Sequence, residues 1–446
     1  MNLRTSVMAR LVVMGCLFLG LLIPLMMVQA VVSERATRRE AVTQEIGTTW
    51  GGPQTIAGLV LTVPYRYQVF ENGRRQEDRI ARAVFLPEML DVQGALTPEI
   101  RQRTLFKVVV YRARLQISGR FARPDLGRLR PVVDEALWNE ATVSLGVSDP
   151  RGIASRTTVR LNGRDRSFSP GVESIGLFGS GIHAAADGLD ALAPGAPVEF
   201  ALTLDVNGSR DIRFVPAGND TTVQLASTWP HPTFSGAPLP DSRRVDNAGF
   251  NASWKVPYFG RGFPQGWVTA VGDGADLKSL AAASQFGVGL IQPVDVYQQS
   301  ERAIKYAALF IVLTFVVFFL FETIRARLLH PIQYLFVGFA MCVFYLLLVS
   351  ISEHLGFDVA YTSASVATTL LIAAYSCYVL GGLGEGALMG GGLTGLYGFL
   401  YLLLRLEDYA LLAGSVGLFL MLALLMYLTR RINWYELKLG EARIEG

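Results

Sequence analysis

The sequence predicts a multi-pass α-helical membrane protein with a large, mainly β, antiparallel and sandwich-like periplasmic domain between its first and second transmembrane helices. Three observations carry that reading. The chain of 446 residues is 51% hydrophobic, with a mean hydropathy of +0.35, which is too apolar for an ordinary soluble protein. The apolar residues collect in six runs near the two ends. The block at 33–303 is instead charged, rich in β-branched and aromatic residues, and punctuated by Gly, Pro, Asn and Asp.

A bilayer core takes roughly 20 apolar residues per helix, and residues 11–32, 304–321, 332–351, 359–380, 387–404 and 409–428 meet that length. Val28-Gln29-Ala30 resembles a small-residue signal cleavage site. The first run is longer than a signal-peptide core, so it reads as an uncleaved anchor. Arg4 and Arg10 precede the first run, Arg325 and Arg327 lie between the second and third, and Arg430, Arg431, Lys438 and Arg443 follow the sixth. Six crossings put all of these on one side. The opposite side receives 352–358, without Lys or Arg, and 405–408, where Glu407 and Asp408 offset Arg405. The positive-inside rule then makes both termini cytoplasmic and 33–303 periplasmic, with 429–446 a cytoplasmic tail. Lys305 is an exception.

Within 33–303, LVLTVPYRYQVF (59–70), LFKVVVYRARLQISGRF (105–121), TTVRLNG (157–163) and PVEFALTLDVNGS (197–209) read as strands. Short helices are expected at 134–140 and 277–284, and Asn72-Gly73 in ENGRRQEDR suits a tight hairpin turn. The block carries 30 Lys/Arg against 28 Asp/Glu, a balance without the clustered positive charge of a nucleic-acid footprint. Cys16, Cys342 and Cys377 all fall in the apolar runs, so this domain has no disulfide or thiolate metal site to fold around.

Four blocks carry a family resemblance: RREAVTQEIGTTWGGPQTIAGLVLTVPY, WPHPTFSGAPLPDSRRVDNAGFNASWKV, QFGVGLIQPVDVYQQSERAIKYAALFIVLTFVVFFLFE and HPIQYLFVGFAMCVFYLLLVSISEH. In this order they resemble the CreD family of bacterial inner-membrane, cell-envelope integrity proteins. The resemblance implies one amino-terminal helix, a large periplasmic domain and a carboxy-terminal helical bundle. It also implies a link to envelope stress and to a sensor-kinase regulon responding to cell-wall damage. No catalytic residue comes with it.

Several polar residues in the apolar runs and the middle block could carry chemistry of their own. ISEHLGFD (351–358) places Glu353, His354 and Asp358 between two apolar runs. His354 and Asp358 are four apart and meet on a helix, but Glu353 is rotated by about 100° from His354, so three-ligand zinc geometry is not specified locally. A polar turn at the membrane surface accounts for all three charges; a metal or proton-relay role is the alternative. Ser180 and His183 in FGSGIHA lack the Gly-x-Ser-x-Gly frame of a nucleophile elbow, and His231 lies between two prolines. Thr362, Ser365, Thr369 and Ser376 share one helical face, either a packed seam or the lining of a solute path. The run GGLGEGALMGGGLTG (381–395) lacks a P-loop ending. Gly386 with Gly390, and Gly391 with Gly395, have small-xxx-small spacing and read as helix contacts, with Glu385 at the cytoplasmic edge.

The expected function is therefore non-enzymatic, with no catalytic residue, cofactor or metal. The protein is expected to support envelope integrity or the envelope-stress response through its periplasmic domain. Its expected partners are the lipid bilayer and a periplasmic envelope protein or cell-wall component, not nucleic acid. The alternatives are a small-solute transporter, which needs a polar cavity at mid-depth, and a membrane-associated hydrolase.

Overall fold

The computed structural model describes residues 7–71, 74–75, 79–103, 105–126, 132–172, 176–190, 196–269, 277–291, 296–325, 329–406 and 409–430. Arg4, Arg327, Glu407, Asp408, Arg431, Lys438, Arg443 and the Asn72-Gly73 turn lie outside them, although the strands flanking that turn, Phe70–Glu71 and Arg74–Arg75, do pair. The chain divides into two compact units, Ala41–Pro293 and Met1–Glu40 with Val294–Gly446.

The first of these units is built from two sheets. In the ten-stranded sheet, Gln54–Tyr67 is central, flanked by Thr142–Val147 and Asp211–Val215. The eight-stranded sheet is centred on Phe106–Phe121, Met89–Arg103 and Asp220–Ser227. Their inner faces meet in one core. Trp254 of one sheet, 1% exposed, packs against Phe286 and Phe234 of the other, with ring centroids 5.7 and 5.8 Å apart. The sandwich is thus observed, but the sheets are mixed rather than purely antiparallel. Gln54–Tyr67 runs parallel to Asp211–Val215, and Asp220–Ser227 parallel to Met89–Arg103. A second difference lies at 134–140, which forms the short strand Glu135–Ala136 and a 3-10 turn, Trp138–Glu140, instead of a helix. The hairpin from Thr158–Leu161 to Arg164–Ser167 turns on Asn162 and Gly163, at φ 44° and 81°. Two positive φ values are what a type I′ turn requires.

The first helix, α1, spans Val7–Trp50 and so extends well past the apolar run that ends at residue 32. Its last turns lie on the eight-stranded sheet. Ile46 is buried with Val108 and Val110, the Arg101 guanidinium stacks 3.6 Å from the Trp50 ring centroid, and Glu45 pairs with Arg103 at 2.6 Å. The GGPQ that follows forms a latch. Gln54 is fully buried and donates to the Asp149 and Asn207 carbonyls at 3.1 and 2.9 Å, while its own carbonyl accepts from Ser148 and the Asp149 N–H. A Cβ on Gly51 would collide with the Asn207 carbonyl oxygen.

Asp149 closes the latch by accepting from the Gly52 N–H at 3.1 Å and from Arg151 at 2.8 and 3.0 Å. The Arg151 hydrogen bonds hold its carboxyl below the ordinary range, against the upward push of burial. A depressed folded-state pKa contributes stability above the unfolded carboxylate value, and that contribution is lost as pH falls through the folded value. Melting midpoints of the parent should therefore fall more steeply below about pH 4 than those of Asp149→Asn. Parallel pH profiles would show that the carboxylate contributes nothing to the latch.

In the other unit the helices after the domain are α3 (Val296–Lys305), α4 (Ala307–Arg325), α5 (Pro331–Leu355), α6 (Phe357–Leu380), α7 (Leu383–Arg405) and α8 (Ala410–Thr429); α2 (Leu277–Ala283) belongs to the β unit. Among the described residues five helices are long and apolar enough to cross a membrane. They become six if α3 and α4, bent by 44°, count as one span. His330 caps α5 reciprocally with Gln333, and Pro331 takes the first turn, where no N–H is needed. Between α5 and α6 only Gly356 is non-helical, at φ 82°. Gly381, at φ 80°, ends α6 and donates with Gly382 to the Cys377 carbonyl, the glycine stop common at helix carboxy-termini.

Candidate functional site

The charged residues of ISEHLGFD do not converge. Glu353 ends α5, where it accepts from the Tyr297 hydroxyl at 3.0 Å and lies 3.7 Å from the Arg35 Nε of α1. Asp358 starts α6, pairing with Arg405 at 2.6 Å and accepting from Tyr401 at 3.1 Å. His354 is exposed and bonds to neither. The stretch is thus two helix ends around one glycine, each carboxylate neutralised by an arginine from another helix. Among the described residues no group of His, Cys, Asp and Glu is placed to hold a metal ion.

A second polar cluster lies at the other end of these helices. Glu322 of α4, 2% exposed, pairs with Arg10 of α1 and accepts from the Tyr334 hydroxyl at 2.7 Å and the Leu329 N–H at 3.3 Å. These groups and His330 line a cleft of about 400 Å³ whose other wall is Val13, Met14 and Leu17. Tyr334 and Glu353 are 19 positions apart on α5, or about 29 Å at 1.5 Å per residue. That is close to the thickness of a bilayer's hydrocarbon core. Glu322 was not singled out from the sequence. Its signal was a lone carboxylate closing an otherwise apolar run, FIVLTFVVFFLFE.

The hydroxyls of α6 sit differently from a shared seam or path. Thr362 is exposed and donates to the Asp358 carbonyl at 2.8 Å; Ser365 donates to the Thr362 carbonyl at 3.0 Å; Thr369 is half-buried. Of the four, only Ser376 is buried, and the inward face is completed by Phe357, Ala360, Tyr361, Ala364, Thr368 and Ile372. Gly386 and Gly390 are buried on α7 against α6. A Cβ on Gly386 would strike the Cys377 Sγ and lie 2.8 Å from the Ala373 carbonyl oxygen, and one on Gly390 would lie 3.1 Å from the Ala373 Cβ. Gly391 and Gly395 face open space, so their spacing does not mark a helix contact within this chain.

In the β unit, Ser180 donates to the Val147 and Ser148 carbonyls at 2.8 and 3.1 Å. His183 Nδ1 lies 2.8 Å from the Gly171 carbonyl. Both side chains are used to hold neighbouring turns.

Comparison with known proteins agrees with this architecture. The family model for "Inner membrane protein CreD" matches residues 6–435. The chain is 34% identical over 427 residues to "Inner membrane protein CreD" of Escherichia coli (strain K12), covering 95% of this chain and 92% of that one. With a match that takes in the first span, the sandwich and the helical bundle alike, the chain belongs to the CreD family of inner membrane proteins.

Proposed function

We propose that this chain is a non-enzymatic inner-membrane protein with both termini cytoplasmic and its β unit in the periplasm, where that unit supports envelope integrity by contact with a cell-wall polymer. The observation that carries the reading is a row of uncharged hydrogen-bonding side chains across the outer face of the eight-stranded sheet. Thr203, Gln116, Gln93, Gln224, Ser253 and Ser242 are consecutive cross-strand partners. Six strands at about 4.8 Å spacing make a row about 24 Å long. Five of the six line a trough of about 560 Å³ together with Arg114, Arg243 and Arg244, of which Arg114 pairs with Asp205 and Arg244 with Asp246. Amide and hydroxyl rows suit an extended, hydroxyl-rich polymer, and Arg243 suits its acidic groups.

Two experiments test the proposal. In a chain whose three cysteines are replaced by serine, Ser242→Cys should react with an impermeant thiol reagent in intact spheroplasts, and Arg430→Cys only after lysis. The reverse pattern overturns the orientation. The full chain in detergent should cosediment with purified sacculi, and Gln93→Glu with Gln224→Glu should cut that binding several-fold. If a photo-crosslinker at Gln224 captures only a protein, the cell-wall partner is replaced by an envelope protein.

A further inference from the structure

Inside the bundle, Phe344 of α5 is surrounded by tyrosine rings: Tyr345 at 4.8 Å, Tyr361 of α6 at 5.6 Å and Tyr397 of α7 at 4.6 Å between centroids. The Tyr361 hydroxyl donates to the Tyr397 carbonyl at 2.6 Å. Among the described residues the hydroxyls of Tyr345 and Tyr397 have no hydrogen-bonding partner, although these residues are only 1% and 3% exposed. Lipid cannot supply a partner in their place. Phenylalanine would fill the same space without a polar group to satisfy, so two such phenols, each with its ring against Phe344, call for a ligand.

We infer that Tyr345 and Tyr397 form a binding site for ordered water in the bundle interior. Water is the ligand that fits, because it donates and accepts at once and is held by two to four polar partners in a confined space. The site is not isolated from the polar helix ends. Tyr401, which bonds Asp358 and Arg405, has its ring 5.2 Å from Tyr361. A file of phenols therefore leads inward from the Asp358–Arg405 pair. Tyr397 lies eight positions before Arg405 on α7, about 12 Å along the axis, which is near mid-depth of a core about 30 Å thick.

The test uses the full chain in lipid nanodiscs. Tyr345→Phe and Tyr397→Phe should each lower the melting midpoint by a few degrees, and the double variant should lower it by clearly less than the sum, since each single change strands the same water. Phenylalanine variants that melt at or above the parent overturn the proposal, because an unbonded hydroxyl is better removed. Strictly additive losses overturn the shared site. X-ray hydroxyl-radical footprinting, in which radicals form at bound water, gives a readout without mutation. Tyr345 and Tyr397 should be modified far faster than the equally buried Phe310 and Phe315. Equal protection of all four would leave no water at the phenols.

Discussion

Gly386→Leu should abolish accumulation of folded protein, whereas Gly391→Leu, five positions along the same helix, should accumulate at the parental level. At Gly386 a Cβ meets the Cys377 sulfur, the Ala373 carbonyl oxygen and the Cys377 nitrogen, and at Gly391 it meets nothing within 4 Å. Overpacking typically costs about 1–3 kcal/mol. The cost here should reach or exceed the upper end, because two of the three obstacles are backbone atoms that move only if α6 and α7 separate. Close approach of backbones at small residues is a main source of helix association in lipid. Fluorescence-detected gel filtration of detergent extracts reads the outcome as the monodisperse fraction. Combining Gly386→Ala with Cys377→Ala should recover part of the loss from Gly386→Ala alone, since it removes the sulfur but not the carbonyl. A silent Gly386→Leu would show that these helices are not in contact here.

Five of the six runs were legible as spans because the bilayer imposes a length that an apolar run either meets or misses, whereas the run at 304–321 is bent by 44° near its start and reaches that length only together with α3. The continuation of α1 was missed because residues 33–40 are largely charged, yet Val42, Ile46 and Trp50 recur every four positions. That spacing makes one apolar stripe on a helix, and it is the stripe that packs on Val108 and Val110. Parallel strand pairing was not legible, because alternation within a strand shows which face is buried and not which neighbour lies beside it. The hydroxyls at 362, 365 and 369 were misplaced for a different reason. In a span, an apolar side chain is as comfortable facing lipid as facing protein, so the polar residues are expected to turn inward. Thr362 and Ser365 do not need to, since each bonds a carbonyl of its own helix. Large aromatic and small alanine positions decide the inward face of α6 instead. The carboxylates at 353 and 358 read from the sequence as parts of a polar turn, but their partners Arg35 and Arg405 come from helices distant in sequence. No local pattern contains that information.

Glu322→Leu should destabilise the protein strongly, and adding Arg10→Met should restore most of the loss. The Glu322 carboxylate is 2% exposed and balanced by Arg10, with Tyr334 and the Leu329 N–H as further donors. Removing one member of such a pair leaves its partner desolvated and unmatched, at a cost of about 3–5 kcal/mol. The lower end is expected here, because Arg10 remains 18% exposed and can turn part of its charge towards water. Replacing both members by apolar residues removes the desolvation penalty together with the attraction, which is often neutral overall. The Tyr334 hydroxyl still loses its acceptor in the double variant, so a residue of about 1 kcal/mol should persist until Tyr334→Phe is added. The measurement is a thermal or denaturant midpoint of the four chains in one detergent, arranged as a double-mutant cycle. Coupling between positions 10 and 322 of at least about 1.5 kcal/mol is expected for close charge pairs of low exposure. Additive losses would mean that Arg10 and Glu322 act separately, and that α1 is held to α4 and α5 by its apolar face at Leu21, Leu25 and Val28 alone.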